Sequence, residues 1–253
     1  MTGGEPMMDK NTYRVFDHVL ANPKPDLHLS TTSNFSVSDK LWKKYLGYVK
    51  EICSDDNVEH FMQYVSVDAF GPKAEYIRDG LDFDLLWERV NQFLTEVPER
   101  SSITFIITMN NLNVTSFGNL LAGINGLRQI YSNTYQRVWF DTPLLRTPEW
   151  QSMQILPESY CDELDLIWSW MLKWAETEET RFKGFKDYEM QRLDRDIAWM
   201  RSGQKLDAKY LAQQKADFYK FFTEHDNRRG TNFLQTFPEM KSFWKECEQY
   251  AKR

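Results

Sequence analysis

The sequence predicts an α/β protein in which strands and helices alternate and the strands pair in parallel. Short runs rich in apolar and β-branched residues recur along the chain, and amphipathic segments separate them. The strand-like runs cover residues 27–32, 61–67, 103–109 and 135–140. Strands that alternate with helices form βαβ units. We therefore expect a parallel sheet with right-handed crossovers, either open or curled into a barrel.

Helices are predicted wherever apolar residues recur at intervals of three or four. The first helix ends at Asn22-Pro23-Lys24-Pro25, and the second follows a capping Ser38 or Asp39. The strand-like run 103–109 is nearly continuously apolar, which is typical of a strand buried on both faces. The helical segments of this region are 11–21, 39–52, a stretch within 76–97, 120–131 and 159–174.

Beyond Ala175 the sequence becomes strongly charged and helical. Segments 187–202 and 207–225 have helical patterns, and Pro238 opens a last short helix. We divide the chain into residues 1–175, which contain the strands, and a helical C-terminal extension, residues 176–253. The charged faces of the extension are expected to be solvated surface.

Composition and charge restrict the possible partners. The 253 residues carry 31 basic and 37 acidic side chains, a net charge of −6. No broad cationic surface is available to neutralise a nucleic-acid backbone, so non-specific nucleic-acid binding is not expected. No apolar run approaches the roughly 20 residues of a membrane helix, and the first 30 residues lack a signal-like segment. We expect a cytoplasmic protein without a membrane partner.

Cysteine and histidine residues are few and scattered. Cys53, Cys161 and Cys247 are too far apart in sequence to form a CxxC motif, and the four histidines are equally dispersed. We therefore assign no metal to this chain by itself.

One motif at the start of the chain resembles a known cofactor-binding segment. Thr2-Gly3-Gly4-Glu5-Pro6 is followed by a helix and by a strand that ends in Ser33 and Asn34. This arrangement resembles the Gly-Gly-Glu-Pro segment of radical S-adenosylmethionine (radical SAM) enzymes and the strand after it. Paired glycines allow the backbone to approach a ligand closely, and the carboxylate accepts hydrogen bonds from an ammonium. The resemblance implies that Gly3, Gly4 and Glu5 bind the methionine amino group. Ser33 and Asn34, at the mouth of the strand, are also candidate cofactor-binding residues.

A second passage strengthens the resemblance. Residues 65–70 and 74–83 look like the family's strand, Asp and Arg-x-Gly-x-x-Phe sequence. Ser66 and Asp68 can hydrogen-bond ribose hydroxyls, and Arg78 can pair with the cofactor carboxylate. The alternative roles are structural, with Asp68 capping a turn and Arg78 lying on the surface.

The next two strands place further polar residues near the same edge. Thr108, near the end of strand 103–109, and Asn110, just after it, are placed near this edge. Asn110 either hydrogen-bonds cofactor or substrate or terminates strand pairing. Residues 135–150 can line a substrate pocket by their position. Further similarity to twitch-domain-containing radical SAM proteins, which include environmental and phage sequences, comes from SVDAFG, TFIITMN, YQRVWFDTP and FKDYEMQR.

The resemblance implies a partial (β/α)6 barrel and a chemistry that this sequence does not complete. Family members hold a [4Fe-4S] cluster in a Cys-x3-Cys-x2-Cys loop that precedes the Gly-Gly-Glu segment. Here only Met1 and Thr2 precede it. We expect the first strand, the cysteine loop and most of the second strand to lie outside this sequence. An exposed sheet edge would then favour association or poor stability.

In the intact family an external donor reduces the cluster, and S-adenosylmethionine is cleaved to a 5′-deoxyadenosyl radical that abstracts hydrogen from the substrate. For this chain the substrate and any catalytic residues are unassigned. The alternative is a non-catalytic α/β binding or scaffold protein without the cluster. A sugar-phosphate barrel enzyme ranks last, because no Gly-rich phosphate segment occurs late in the chain.

Overall fold

The computed structural model describes Met1 and residues 4–253, and its centre is a sheet in which all paired strands are parallel. The strands follow chain order across the sheet, so each strand lies beside its neighbour in sequence. The α/β class, the four strand regions and their parallel pairing are confirmed. The strands are β1 (Lys24–Ser33), β2 (Val58–Ser66), β3 (Ser101–Ile106) and β4 (Val138–Asp141).

Helices connect the strands and form the C-terminal part of the chain. Side-chain caps fix several helix starts, as at Asp9, whose carboxylate accepts the Asn11 N–H, and Gly230 ends the longest helix with φ +65°. The helices are α1 (Lys10–Ala21), α2 (Asp39–Ile52), α3 (Pro72–Ile77), α4 (Phe83–Glu96), α5 (Val114–Tyr131), α6 (Ser159–Lys173), α7 (Asp187–Ser202), α8 (Ala208–Arg229), α9 (Phe233–Thr236) and α10 (Lys241–Ala251).

The boundaries of β1, β3 and α5 differ from the predicted ones. β1 begins three residues before the predicted 27–32, because Lys24 N–H already donates to Asn57 O. β3 ends at Ile106 rather than at Met109, although single hydrogen bonds continue the pairing: Met109 N–H donates to Pro143 O at 2.7 Å. Helix α5 begins six residues before the predicted 120–131.

The two faces of the sheet have different surroundings. Phe61, Val65 and Phe105 point toward the helices and are fully buried. Met62 and Thr104 belong to the opposite face, where the Thr104 hydroxyl donates to Met62 Sδ at 3.0 Å. This opposite face, which we call the inner face, is polar and aromatic. It carries His60, Met62, Tyr64, Ser66, Thr104, Ile106, Trp139 and Asp141.

The two edge strands of the sheet, β1 and β4, also have different contacts. Beside β4, Arg128 Nε of α5 donates to the main-chain Val138 O at 2.8 Å, and Arg192 of α7 binds the Asp141 side chain at 2.8 Å. Beside β1, the Met1 ammonium donates to Ser30 O at 2.6 Å, and Thr32 N–H donates to Met1 O at 3.2 Å. This pair of bonds has the pattern of a parallel ladder, so the main chain of Met1 occupies the edge of β1 in its C-terminal half.

The C-terminal helices share one core with the sheet. The Arg128 guanidinium of α5 and the Glu189 carboxylate of α7 pair without any solvent exposure. A main-chain bond also crosses the predicted boundary at Ala175, since Phe185 N–H donates to Trp174 O at 2.8 Å. Within Met1 and residues 4–253, no helix is both long and apolar enough to cross a membrane.

Candidate functional site

A cavity of about 480 Å³ opens at the carboxyl ends of β1 and β2, where ligands of parallel α/β sheets bind. We call it the mouth cavity. Its volume lies within the usual range for small-molecule sites. Six residues predicted from the sequence line it: Gly4, Glu5, Ser33, Asn34, Ser66 and Arg78. Its other lining residues are Met8, Thr32, Ser36, Asp79 and Gly80. The predicted Gly3 lies outside the described residues.

Glu5 is tied to the end of β1 by its own side chain. Its Oε2 accepts the Ser33 hydroxyl at 2.8 Å, and its Oε1 accepts the Met7 N–H at 3.1 Å. Gly4 precedes it with φ +64°, a conformation that residues with a Cβ rarely adopt. A carboxylate has about four acceptor sites, so two bonds leave Glu5 able to accept a ligand ammonium.

The loop after β1 holds Asn34 beside Glu5. Asn34 Oδ1 accepts the Ser36 N–H at 3.0 Å, and the next residue, Phe35, has φ +60°. A left-handed conformation at a non-glycine residue costs roughly 1–2 kcal/mol, so surrounding contacts have to maintain it. Arg89, which is buried, donates to the Phe35 carbonyl and to the Val37 carbonyl.

Sequence reasoning missed Arg89. Its signal was a single arginine on the apolar face of α4, between Leu86 and Phe93. A buried guanidinium with five donors needs several acceptors, and the loop carbonyls supply them. Its third bond reaches Asp39 Oδ1 at 2.7 Å.

Arg78 lines the mouth cavity, and Asp68 stands behind it. Asp68 Oδ2 accepts Arg78 Nε at 2.7 Å, and Asp68 Oδ1 accepts the Thr108 N–H at 2.9 Å. Asp68 is 5% exposed and is absent from the cavity lining within the described residues. Its carboxylate orients the guanidinium, and the Nη groups of Arg78 have no partner among those residues. Arg78 can therefore bind a carboxylate with the donors that Asp68 does not use.

The predicted Thr108 and Asn110 lie beyond the described lining of the mouth cavity. Asn110 Nδ2 donates to Thr108 O at 2.8 Å, and Asn110 Oδ1 accepts the Leu112 N–H at 2.9 Å. These bonds form the turn after β3. Both polar atoms of the Asn110 side chain are therefore engaged within this turn, four residues beyond the end of β3.

A second cavity of about 470 Å³ adjoins the first and shares Met8, Ser36 and Gly80 with it. Its remaining walls are mostly apolar and come from the loop before α2 and the start of α4. They are Phe35, Val37, Ser38, Leu41, Asp82, Leu85 and Leu86.

The cysteines do not fit an iron–sulfur cluster. Cys53 follows α2, Cys161 lies in α6 and Cys247 lies in α10, and all three thiols are buried. Burial raises the pKa of Cys53 to about 12 and also raises the pKa of the other two, which opposes the thiolate form that binds iron. Within Met1 and residues 4–253, no three His, Cys, Asp or Glu side chains are grouped to hold a metal ion.

No family model, curated protein or solved structure matches this chain.

Proposed function

We propose that this chain carries the S-adenosylmethionine-binding part of a radical SAM protein. The observation that supports the proposal is that Glu5 and Arg78 line the same cavity. A zwitterionic amino-acid group needs an acceptor for its ammonium and a donor for its carboxylate, and these two side chains supply them. Ser33 and Ser66 add hydroxyls, which suits a ligand with sugar hydroxyls.

In this proposal each residue has a defined role. Glu5 accepts the ammonium of the methionyl group, Arg78 binds its carboxylate, and Ser66 hydrogen-bonds a ribose hydroxyl. Asp68 acts through Arg78, because it holds the guanidinium by Nε. Bound S-adenosylmethionine supplies radical chemistry only after its sulfonium receives one electron from a [4Fe-4S] cluster, which an external donor reduces. The cluster ligands would belong to a longer parent protein, and the substrate is undefined.

The strand order supports a partial (β/α)6 barrel as the parent fold. Strands β1 to β4 lie in chain order with a helical connection between each pair. Right-handed crossovers in unchanged order put all connecting helices on one face, so that the sheet curls with its other face inward. A doubly wound sheet would instead reverse its order at a switch point. The ladder bonds of Met1 along β1 support a preceding parallel strand at this edge in the parent fold.

Calorimetric titration of the chain with S-adenosylmethionine tests the binding role directly. We expect Glu5→Gln and Arg78→Gln each to weaken binding by about 10- to 100-fold, because each removes a charge-assisted bond of about 1.5–3 kcal/mol. Glu59→Gln on β2 and Arg14→Gln on α1 are matched controls at exposed positions outside the cavity lining. Absence of binding by the unaltered chain at millimolar ligand would refute the proposal.

The second candidate is a non-catalytic binding or scaffold protein. It is favoured by the three cysteines, which are buried in separate elements and have raised thiol pKa values. Anaerobic iron–sulfur reconstitution separates the candidates when this chain is compared with a version extended through its upstream reading frame. Iron uptake and 5′-deoxyadenosine formation only in the extended version would support the radical SAM parent, and neither activity in either version would favour the scaffold.

A further inference from the structure

One wall of the mouth cavity is a short loop between α3 and α4 that carries Arg78, Asp79 and Gly80. The loop has few main-chain bonds of its own: Arg78 N–H donates to Ala74 O, and Leu81 N–H donates to Arg78 O. Gly80 has φ +76°, which gives a tight change of direction before α4. The main-chain position of Arg78, from which Asp68 orients the guanidinium, therefore depends on what holds this loop from outside.

Arg229, at the end of α8 in the C-terminal extension, holds the loop. Its Nη1 donates to Tyr76 O at 2.8 Å, and its Nη2 donates to Glu75 O at 3.2 Å. The same Nη2 binds Asp79 Oδ1 at 2.9 Å. A guanidinium on the last carbonyls of α3 satisfies acceptors that the helix leaves unpaired, and its charge suits a helix C-terminus.

Further contacts fix α3 against α8. The Tyr76 hydroxyl donates to Asp226 Oδ1 at 2.9 Å, and the Tyr76 ring lies 4.7 Å from the His225 ring. His225 Nε2 is 2.8 Å from Arg229 Nη1 and, in the neutral imidazole, accepts a hydrogen bond from it. The Arg229 side chain is only 20% exposed. Its position is therefore set by packing as well as by charge.

We infer that Arg229 is a positioning residue for the mouth cavity, fixing the loop of Arg78 so that the cavity binds the carboxylate of an amino-acid ligand. This inference rests on the proposed function. Arg229 is not part of the described cavity lining, so its effect passes through residues 75–80. The C-terminal extension then contributes to ligand affinity without touching the ligand.

Two probe ligands separate positioning from general stability. S-adenosylmethionine has the carboxylate that Arg78 would bind, whereas 5′-methylthioadenosine has no amino-acid group. We expect Arg229→Gln to weaken S-adenosylmethionine binding about tenfold or more and to leave 5′-methylthioadenosine binding within about twofold, measured by calorimetry. Arg228→Gln is the matched control, since Arg228 is 77% exposed and pairs only with Glu224, on its own helix, within the described residues.

Arg78→Gln should give the same ligand selectivity. The double variant should bind S-adenosylmethionine only slightly more weakly than either single variant, because both changes remove the same contact between Arg78 and the ligand carboxylate. Hydrogen exchange at the amides of residues 76–81 should be faster in Arg229→Gln than in Arg228→Gln. Equal losses for both ligands, or no loss for either, would overturn the inference and leave the proposed function standing. If the unaltered chain binds neither ligand, the proposed function fails and this inference fails with it.

Discussion

Replacing Glu189 by glutamine tests the most deeply buried ion pair among the described residues. Both carboxylate oxygens of Glu189 accept from the Nη groups of Arg128, and Oε2 also accepts the Lys186 N–H at 3.0 Å. Neither side chain of the pair has any exposed surface. The glutamine amide offers one acceptor oxygen and turns an NH₂ donor toward the guanidinium. Arg128 then keeps its charge in the core without a counter-charge.

Removing one partner of a buried ion pair costs about 3–5 kcal/mol. For a chain of this length each kcal/mol lowers the melting temperature by roughly 2–4 °C, so Glu189→Gln should melt roughly 6–20 °C lower. Urea unfolding followed by circular dichroism gives the free energy, and calorimetry gives the temperature. The control is Asp165→Asn, whose partner Arg201 forms a pair with side chains 43% and 48% exposed. That change should cost less than about 1 kcal/mol. Equal costs for the two variants would refute the reasoning.

Three further outcomes are expected. Gly80→Ala should lower the free energy of unfolding in urea by about 1–2 kcal/mol, because Gly80 has φ +76°. An added Cβ meets no atom within 4 Å, so the change introduces only backbone strain, and an unchanged free energy would contradict this. Burial lowers the pKa of His60, so the unfolded chain binds its proton first and the free energy of unfolding falls as pH drops below about 6.5. Urea unfolding of His60→Gln at pH 7.5 and 5.5 should show a smaller decrease, and an unchanged decrease would exclude His60. Cys53, Cys161 and Cys247 should react with Ellman's reagent only after unfolding, because burial raises the pKa of each thiol; rapid native reaction would contradict this.

Periodicity was sufficient to predict the sheet and most helices, because each strand buries one apolar face and each long helix buries one stripe. Periodicity failed where hydrogen bonds or contacts to distant parts of the chain, rather than the apolar pattern, set the bounds of an element. The early start of β1 depends on a bond from Lys24 to Asn57, which lies 33 residues later in the chain. Helix α3 (Pro72–Ile77) has six residues, too few for a periodic pattern, and it is held instead by contacts with α8.

At the candidate site, the polar residues predicted at the strand ends do lie there. The sequence did not show which of them line the cavity and which lie behind the lining. Ser66 and Arg78 line the mouth cavity, whereas Asp68 lies behind Arg78. Residue type does not distinguish these positions, because a carboxylate suits a ligand and a guanidinium equally well. Arg229 was beyond sequence reasoning, since it contacts Tyr76, near the site, from a helix more than 150 residues later in the chain.

The open edge of β1 has a consequence for how this protein behaves at high concentration. Its first three residues are Lys24, Pro25 and Asp26, which are all exposed. Proline has no N–H to donate to an added strand, and an added strand would take the charged Lys24 and Asp26 side chains out of water, so this half of the edge resists strand-by-strand self-assembly. The other half has its Ser30 and Thr32 main-chain groups engaged by Met1. A chain extended at its amino end would keep that protection only if the extension also ran along β1.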